Sequence, residues 1–174
     1  MNIYISSGIG YGQTKLAAFD AALNQACIAN FNLIKLSSII PPKSMIFEPA
    51  AEEIPNTLTG GWGDRLYVVI AERREDTTGN DAWAGIGWVQ DKKSGRGLFV
   101  EHEGSSRRDV EKDIESSLQD LMKTRKIDFS PINMKVVGAT CKTGSVCSLV
   151  CAVYQASDWN NKPLVSGELG PCQT

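Results

Sequence analysis

Histidine is almost missing from this sequence: His102 is the only one among 174 residues. That scarcity argues against a histidine-built metal centre, and His102 has no recognisable Ser or Cys partner for a catalytic triad. Surplus charge is missing too, with 18 Lys and Arg against 20 Asp and Glu and a net charge of −2. At a pI near 5.5 no basic footprint exists, so no nucleic-acid partner is expected. No apolar run approaches the roughly 20 residues that span a bilayer. The opening MNIYISSGIG has neither the basic start nor the continuous apolar stretch of a secretion signal. These absences predict a cytoplasmic protein without membrane association. Internal repeats are also lacking.

Cysteine is present but odd in number: Cys27, Cys141, Cys147, Cys151 and Cys172. A chain of this length does not need staples, so reduced thiols are the expectation. Cys147 and Cys151, four apart in VCSLVCAVY, share one face of a buried strand and read as small hydrophobes.

With 42% hydrophobic and 22% charged residues, residues 1–174 make an ordinary globular domain. Period counting predicts strands at Asn2–Ser6, Leu33–Ile40, Leu66–Ala71, Trp83–Gln90, Gly97–His102, Ile132–Ala139 and Val146–Gln155. One helix is predicted over Thr14–Cys27, with Leu16, Phe19, Leu23, Ala26 and Cys27 along its apolar side. A second runs over Arg107–Arg125, with Val110, Ile114, Leu118, Leu121 and Met122 at helical spacing and Ser106 with Asp109 as a capping pair. Many strands with one early and one late helix do not suit a doubly wound parallel sheet. They predict an α+β fold with helices on the outer faces of packed, mostly antiparallel sheets. FEPAAEEIPNTLTGGWGD reads as a long loop, and the tail after Asp158 as an irregular surface arm.

Four places carry candidate chemistry. Gly8, Gly10 and Gly12 in SSGIGYGQT lack the spacing of a dinucleotide or P-loop fingerprint and read as a tight strand-to-helix turn. Asp20 lies between Leu16 and Leu23 at the edge of the apolar stripe, where a partly desolvated carboxylate seeks a cation. Glu101 shares a strand face with Phe99, which would leave it half buried and suited to proton donation near neutrality. Ser37 and Ser38, in NLIKLSSIIPPK, interrupt a strand pattern and precede two prolines. A serine hydroxyl can attack the carbonyl of the residue before it, turning the amide into an ester. Elimination and hydrolysis then leave a pyruvoyl group at residue 38. Taken alone, the serine pair is too common to carry that reading, and two strand serines near a turn explain it as well.

KLAAFDAAL, ANFNLIKLSSIIPP and GLFVEHEGSS, in that order, closely resemble pyruvoyl-dependent arginine decarboxylases. The similarity is near-continuous from Gly12 to Lys43, and GLFVEHEGSS adds a separate anchor. The resemblance implies an αββα sandwich and a proenzyme that cleaves itself into a β subunit, residues 1–37, and an α subunit, residues 38–174. It implies a covalent pyruvoyl cofactor derived from Ser38, with neither metal nor pyridoxal phosphate. Arginine would form a Schiff base with that group and leave as agmatine and carbon dioxide. Glu101 aligns with the proton donor, Asp20 with the carboxylate that holds the guanidinium, and Asn32 with an asparagine near the cleavage site. Leu23 and Ile39 align with apolar wall positions. Trimers or dimers of trimers, with sites between neighbouring protomers, are implied as well. Another amino acid, histidine or ornithine, remains an alternative substrate, and an unprocessed oligomeric binding protein is the non-enzymatic alternative. Polyamine synthesis and acid resistance are both open as roles.

Overall fold

A computed structural model of the chain describes residues 1–49, 60–129 and 131–160. Most of the loop expected between Phe47 and Asp64, and nearly all of the C-terminal tail, lie outside these residues. Strand β1 (Asn2–Gly12) leads into helix α1 (Lys15–Gln25), then β2 (Asn32–Lys35), β3 (Ile39–Ile40) and β4 (Met45–Phe47). Strands β5 (Arg65–Glu75), β6 (Asp81–Gln90) and β7 (Gly97–Gly104) follow, then helix α2 (Arg107–Arg125), β8 (Asn133–Thr140) and β9 (Ser145–Ser157).

The strands form two sheets, one of five in the order β2-β5-β9-β1-β4 and one of four in the order β3-β7-β6-β8. Pairing is antiparallel except for β1 with β4 and β2 with β5. Three apolar layers hold the sheets and helices together. Ala18, Ala22 and Leu23 of α1 pack on Leu66, Val68, Leu149 and Cys151 of the five-stranded sheet. Ile3, Ile5, Val69 and Val150 meet Ile40, Ile86 and Phe99 between the two sheets. Val110, Ile114 and Leu118 of α2 cover Val89, Leu98 and Val100 on the far side. The fold is therefore α+β with helices outside two packed sheets, as the element pattern predicts, in the αββα layering that the resemblance implies. No helix among the described residues is long and apolar enough to cross a membrane.

The three early glycines are not a turn. All three lie within β1, and the reason is the closeness of α1. A Cβ at Gly8 would sit 2.1 Å from the carbonyl oxygen of Ala22, and one at Gly10 would sit 2.2 Å from that of Ala18. Only hydrogen at those positions lets the helix lie on the strand. The helix answers with alanine, so its buried face is Ala18, Ala22 and Leu23, while Leu16 is 69% exposed. Asp20, two residues from each of those alanines, consequently points away from the sheet and is exposed, not edge-buried as expected.

The strand expected over Leu33–Ile40 is two strands in different sheets, β2 and β3. Helix α2, by contrast, has the expected bounds, with Ser106 as N-cap accepting from Asp109 N. Cys27 is disulfide-bonded, unlike the reduced state expected, whereas Cys141, Cys147 and Cys151 are free and buried.

Substituting Gly10→Ala places a methyl group against helix backbone that cannot yield. We expect a loss of about 3 kcal/mol, the upper end of ordinary overpacking. Urea unfolding checks this: the midpoint should fall while the slope stays unchanged.

Candidate active site

Between Lys35 and Ile39 the chain changes sheets. On the upstream side β2 runs parallel to β5, and the ladder continues as Leu36 N donates to Val68 O at 2.8 Å. On the downstream side Ile39 and Ile40 pair with Leu98 and Gly97 of β7. Phe99 N extends that ladder by donating to Ser38 O at 2.9 Å. The two flanks of the Ser37–Ser38 peptide are thus held by different sheets, with no ladder shared across the bond.

Ser38 makes the transition with a φ of 63°. A left-handed backbone costs an ordinary L-residue roughly 1–2 kcal/mol, and such strain persists only where surrounding bonds enforce it. Here the enforcing bond is chemical as well as structural. The Ser38 hydroxyl donates to Glu101 Oε1 at 2.5 Å, a short charge-assisted contact that aligns a base with the serine oxygen. Glu101 is half buried on β7, two residues along from Phe99 and on the same face, as the strand period predicts.

Clefts flank this segment on both sides. One, of about 520 Å³, is lined by Ser37, Ser38, Ile39, Glu101, His102 and Asp120, among others. The other, of about 390 Å³, is more apolar and is lined by Leu36, Ile39, Pro41, Tyr67 and Tyr154 among others. Ile39, 46% exposed, contributes to both. His102, an ordinary strand residue by sequence, lies at the first cleft with its Nε2 2.8 Å from Ser117 Oγ of α2.

Of the candidate residues, Ser37, Ser38, Ile39 and Glu101 come together. Asp20, Leu23 and Asn32 are not among the described residues lining either cleft. Asp20 is exposed on α1 and Leu23 is 8% exposed beneath that helix. Asn32, exposed at the head of β2, donates through Nδ2 to Gly63 O at 2.6 Å. Several polar residues at the site escaped sequence reasoning, Tyr154 and Asp120 among them. Tyr154 donates to Ile39 O at 3.0 Å, and a tyrosine inside the apolar run of β9 gives no hint that its partner is a backbone carbonyl. Asp120, on the exposed side of an amphipathic helix, reads as solvated surface.

Cys147 and Cys151 offer no competing nucleophile. Burial pushes the Cys147 thiol up to about 12, with the nearby Glu72 carboxylate adding to the effect and Arg74 opposing it. Burial alone raises Cys151 further. Since the thiolate is the reactive form, neither should be alkylated in the native protein at about pH 8, and both should be once it is unfolded. Peptide mapping after iodoacetamide treatment reads the difference.

The family profile described as pyruvoyl-dependent arginine decarboxylase (PvlArgDC) matches residues 2–158. A protein of that name from Halobacterium salinarum is 31% identical over 159 residues, covering 90% of this chain and 95% of its own. One from Methanocaldococcus jannaschii is also 31% identical over 159 residues, covering 90% and 88%. A third, from Methanothermobacter thermautotrophicus, is 43% identical over 76 residues, or 44% of this chain and 48% of its own.

Proposed function

Because the chain belongs to the pyruvoyl-dependent arginine decarboxylase family, we propose that it cleaves itself between Ser37 and Ser38 and decarboxylates L-arginine to agmatine. The observation that carries this reading is the 2.5 Å contact from the Ser38 hydroxyl to Glu101, made from a left-handed backbone at the sheet change. A pyruvoyl group derived from residue 38 fits this position, since the serine is strained, lines the larger of the two clefts and is paired with a carboxylate.

In the cleavage, Glu101 takes the hydroxyl proton while Ser38 Oγ attacks the carbonyl carbon of Ser37. The amide C–N bond breaks, the Ser38 nitrogen gains a proton, and an ester replaces the amide. Loss of the Ser38 α-proton then expels the Ser37 carboxylate from Cβ. Water adds to the resulting dehydroalanine, ammonia leaves, and a ketone remains at residue 38. The left-handed φ lies next to the bond that breaks, so cleavage releases the strain. Each new end keeps its own ladder. The N-terminal fragment stays bound, because β1 lies between β9 and β4, both from the C-terminal side of the cut.

When formed, the pyruvoyl group supplies a carbonyl that captures the substrate amine and an electron sink for the pair left by carbon dioxide. Glu101, already within hydrogen-bond reach of residue 38, returns a proton to the substrate α-carbon. Asp20 offers its carboxylate edge to the guanidinium as a bidentate, charge-assisted pair. Its exposure on α1, away from the clefts of its own protomer, fits a site completed by a neighbouring copy in a trimer or dimer of trimers. Asn32, beside α1's sheet, and the exposed side of Ile39 would frame that shared pocket. Leu23 has only 8% of its surface to offer as a wall.

Denaturing electrophoresis of the purified protein should give two bands, and mass spectrometry a larger chain that begins with pyruvoyl-Ile39. Ser38→Ala should remain one chain and release no carbon dioxide from arginine. An uncut wild-type chain that still decarboxylates would overturn the reading, and faster release from ornithine or histidine would reassign the substrate.

Kinetics separate the two acids. Asp20→Asn should raise KM for arginine about 10- to 100-fold, the loss of one charge-assisted pair. Glu101→Gln should slow cleavage and, in the cut fraction, lower kcat by about 10²- to 10⁴-fold with agmatine binding retained. Equal losses of kcat and agmatine affinity would make Glu101 a binding residue instead.

A further inference from the structure

Tyr154 stands on β9 in the five-stranded sheet, yet its hydroxyl donates to Ile39 O on β3 of the other sheet. The bond therefore ties the two sheets together one residue beyond the Ser37–Ser38 peptide. An irregularity in the strand aims it there. Val68 of β5 pairs with Val153, and the preceding Tyr67 pairs with Gln155, so Tyr154 is the extra residue of a β-bulge. Bulges turn side chains that a regular ladder would place elsewhere. The phenol is 8% exposed and its ring meets Phe99 edge-on, with centroids 6.1 Å apart. Burial, and then the negative charge of Glu101, raises it well above the ordinary tyrosine value, so it stays a neutral donor.

Strand β3 has only two residues. Once the chain is cut, residue 38 becomes a free end held by the Phe99 N–H and by the pairing of Ile39 and Ile40 with β7. All of those bonds come from one strand, so the end can pivot about it. The Tyr154 hydroxyl acts from the opposite sheet and removes that freedom. We infer that Tyr154 is the positioning residue that holds residue 38 against Glu101, both while the chain cuts itself and afterwards in turnover. The inference rests on the self-cleavage reading and names the group that makes its geometry persist.

Tyr154→Phe keeps the ring on Phe99 and deletes only the donor. Cleavage, followed on denaturing gels, should slow about five- to tenfold, the effect of one ordinary hydrogen bond on a barrier. A poorly held residue 38 also lets water hydrolyse the ester before elimination. More of the larger fragment should then begin with serine, which is heavier than the pyruvoyl end by one ammonia. In the fully matured fraction kcat should fall by a similar factor while KM for arginine stays unchanged. A lower Tm with wild-type cleavage rate and wild-type fragment ends would overturn the inference and leave the hydroxyl a purely structural group. A raised KM with unchanged kcat would overturn it as well. Failure of the wild-type chain to cut at all would remove the self-cleavage reading itself, a result distinct from a wild type that cuts and a variant that cuts equally well.

Discussion

The contact on which the site depends is the short hydrogen bond from Ser38 to Glu101, made where the chain passes from one sheet to the other. Neither partner explains it alone. Ser38 occupies a backbone region that serine avoids, and Glu101 is a half-buried carboxylate in the lining of a cleft. Each satisfies the other's need: the carboxylate gains a donor and the strained serine gains an anchor. The same pairing sets a carboxylate against a hydroxyl, the arrangement that the proposed self-cleavage would use.

That arrangement is possible because the two sheets are separately secured. The five-stranded sheet is clamped by α1, which lies close enough on β1 that Gly8 and Gly10 leave no space for a side chain. The four-stranded sheet is covered by α2 through Val110, Ile114 and Leu118. Between them, Phe99 and Tyr154 meet edge-on in the shared layer. With both halves rigid, one connecting peptide can bear strain without loosening the core. A break in that peptide removes no ladder hydrogen bond.

The second helix was the most legible element, since its cap and its apolar spacing agree and both act locally. The first was legible as a helix but not in orientation. Leu16 and Phe19 suggested a face of large residues, whereas the strand beneath selects alanines because its glycines permit close approach. That difference moved Asp20 from the edge of a buried stripe to the open side. Strand boundaries failed where apolar residues continued across the sheet change, because Leu33 to Ile40 are apolar enough for one strand and alternation cannot tell which sheet a residue joins.

By itself the sequence determined the α+β class, both helices and most strands, because periodicity and capping depend on near neighbours along the chain. It also marked Ser37, Ser38 and Glu101, through blocks whose resemblance to one family is specific. Only the tertiary structure decided that Ser38 meets Glu101, 63 residues away in sequence, and that Tyr154 reaches Ile39 from a bulge on another sheet. It also decided that Asp20 faces outward. Such relations follow from how two sheets and two helices stack, and a hydrogen bond between distant segments leaves no period in the sequence that makes it.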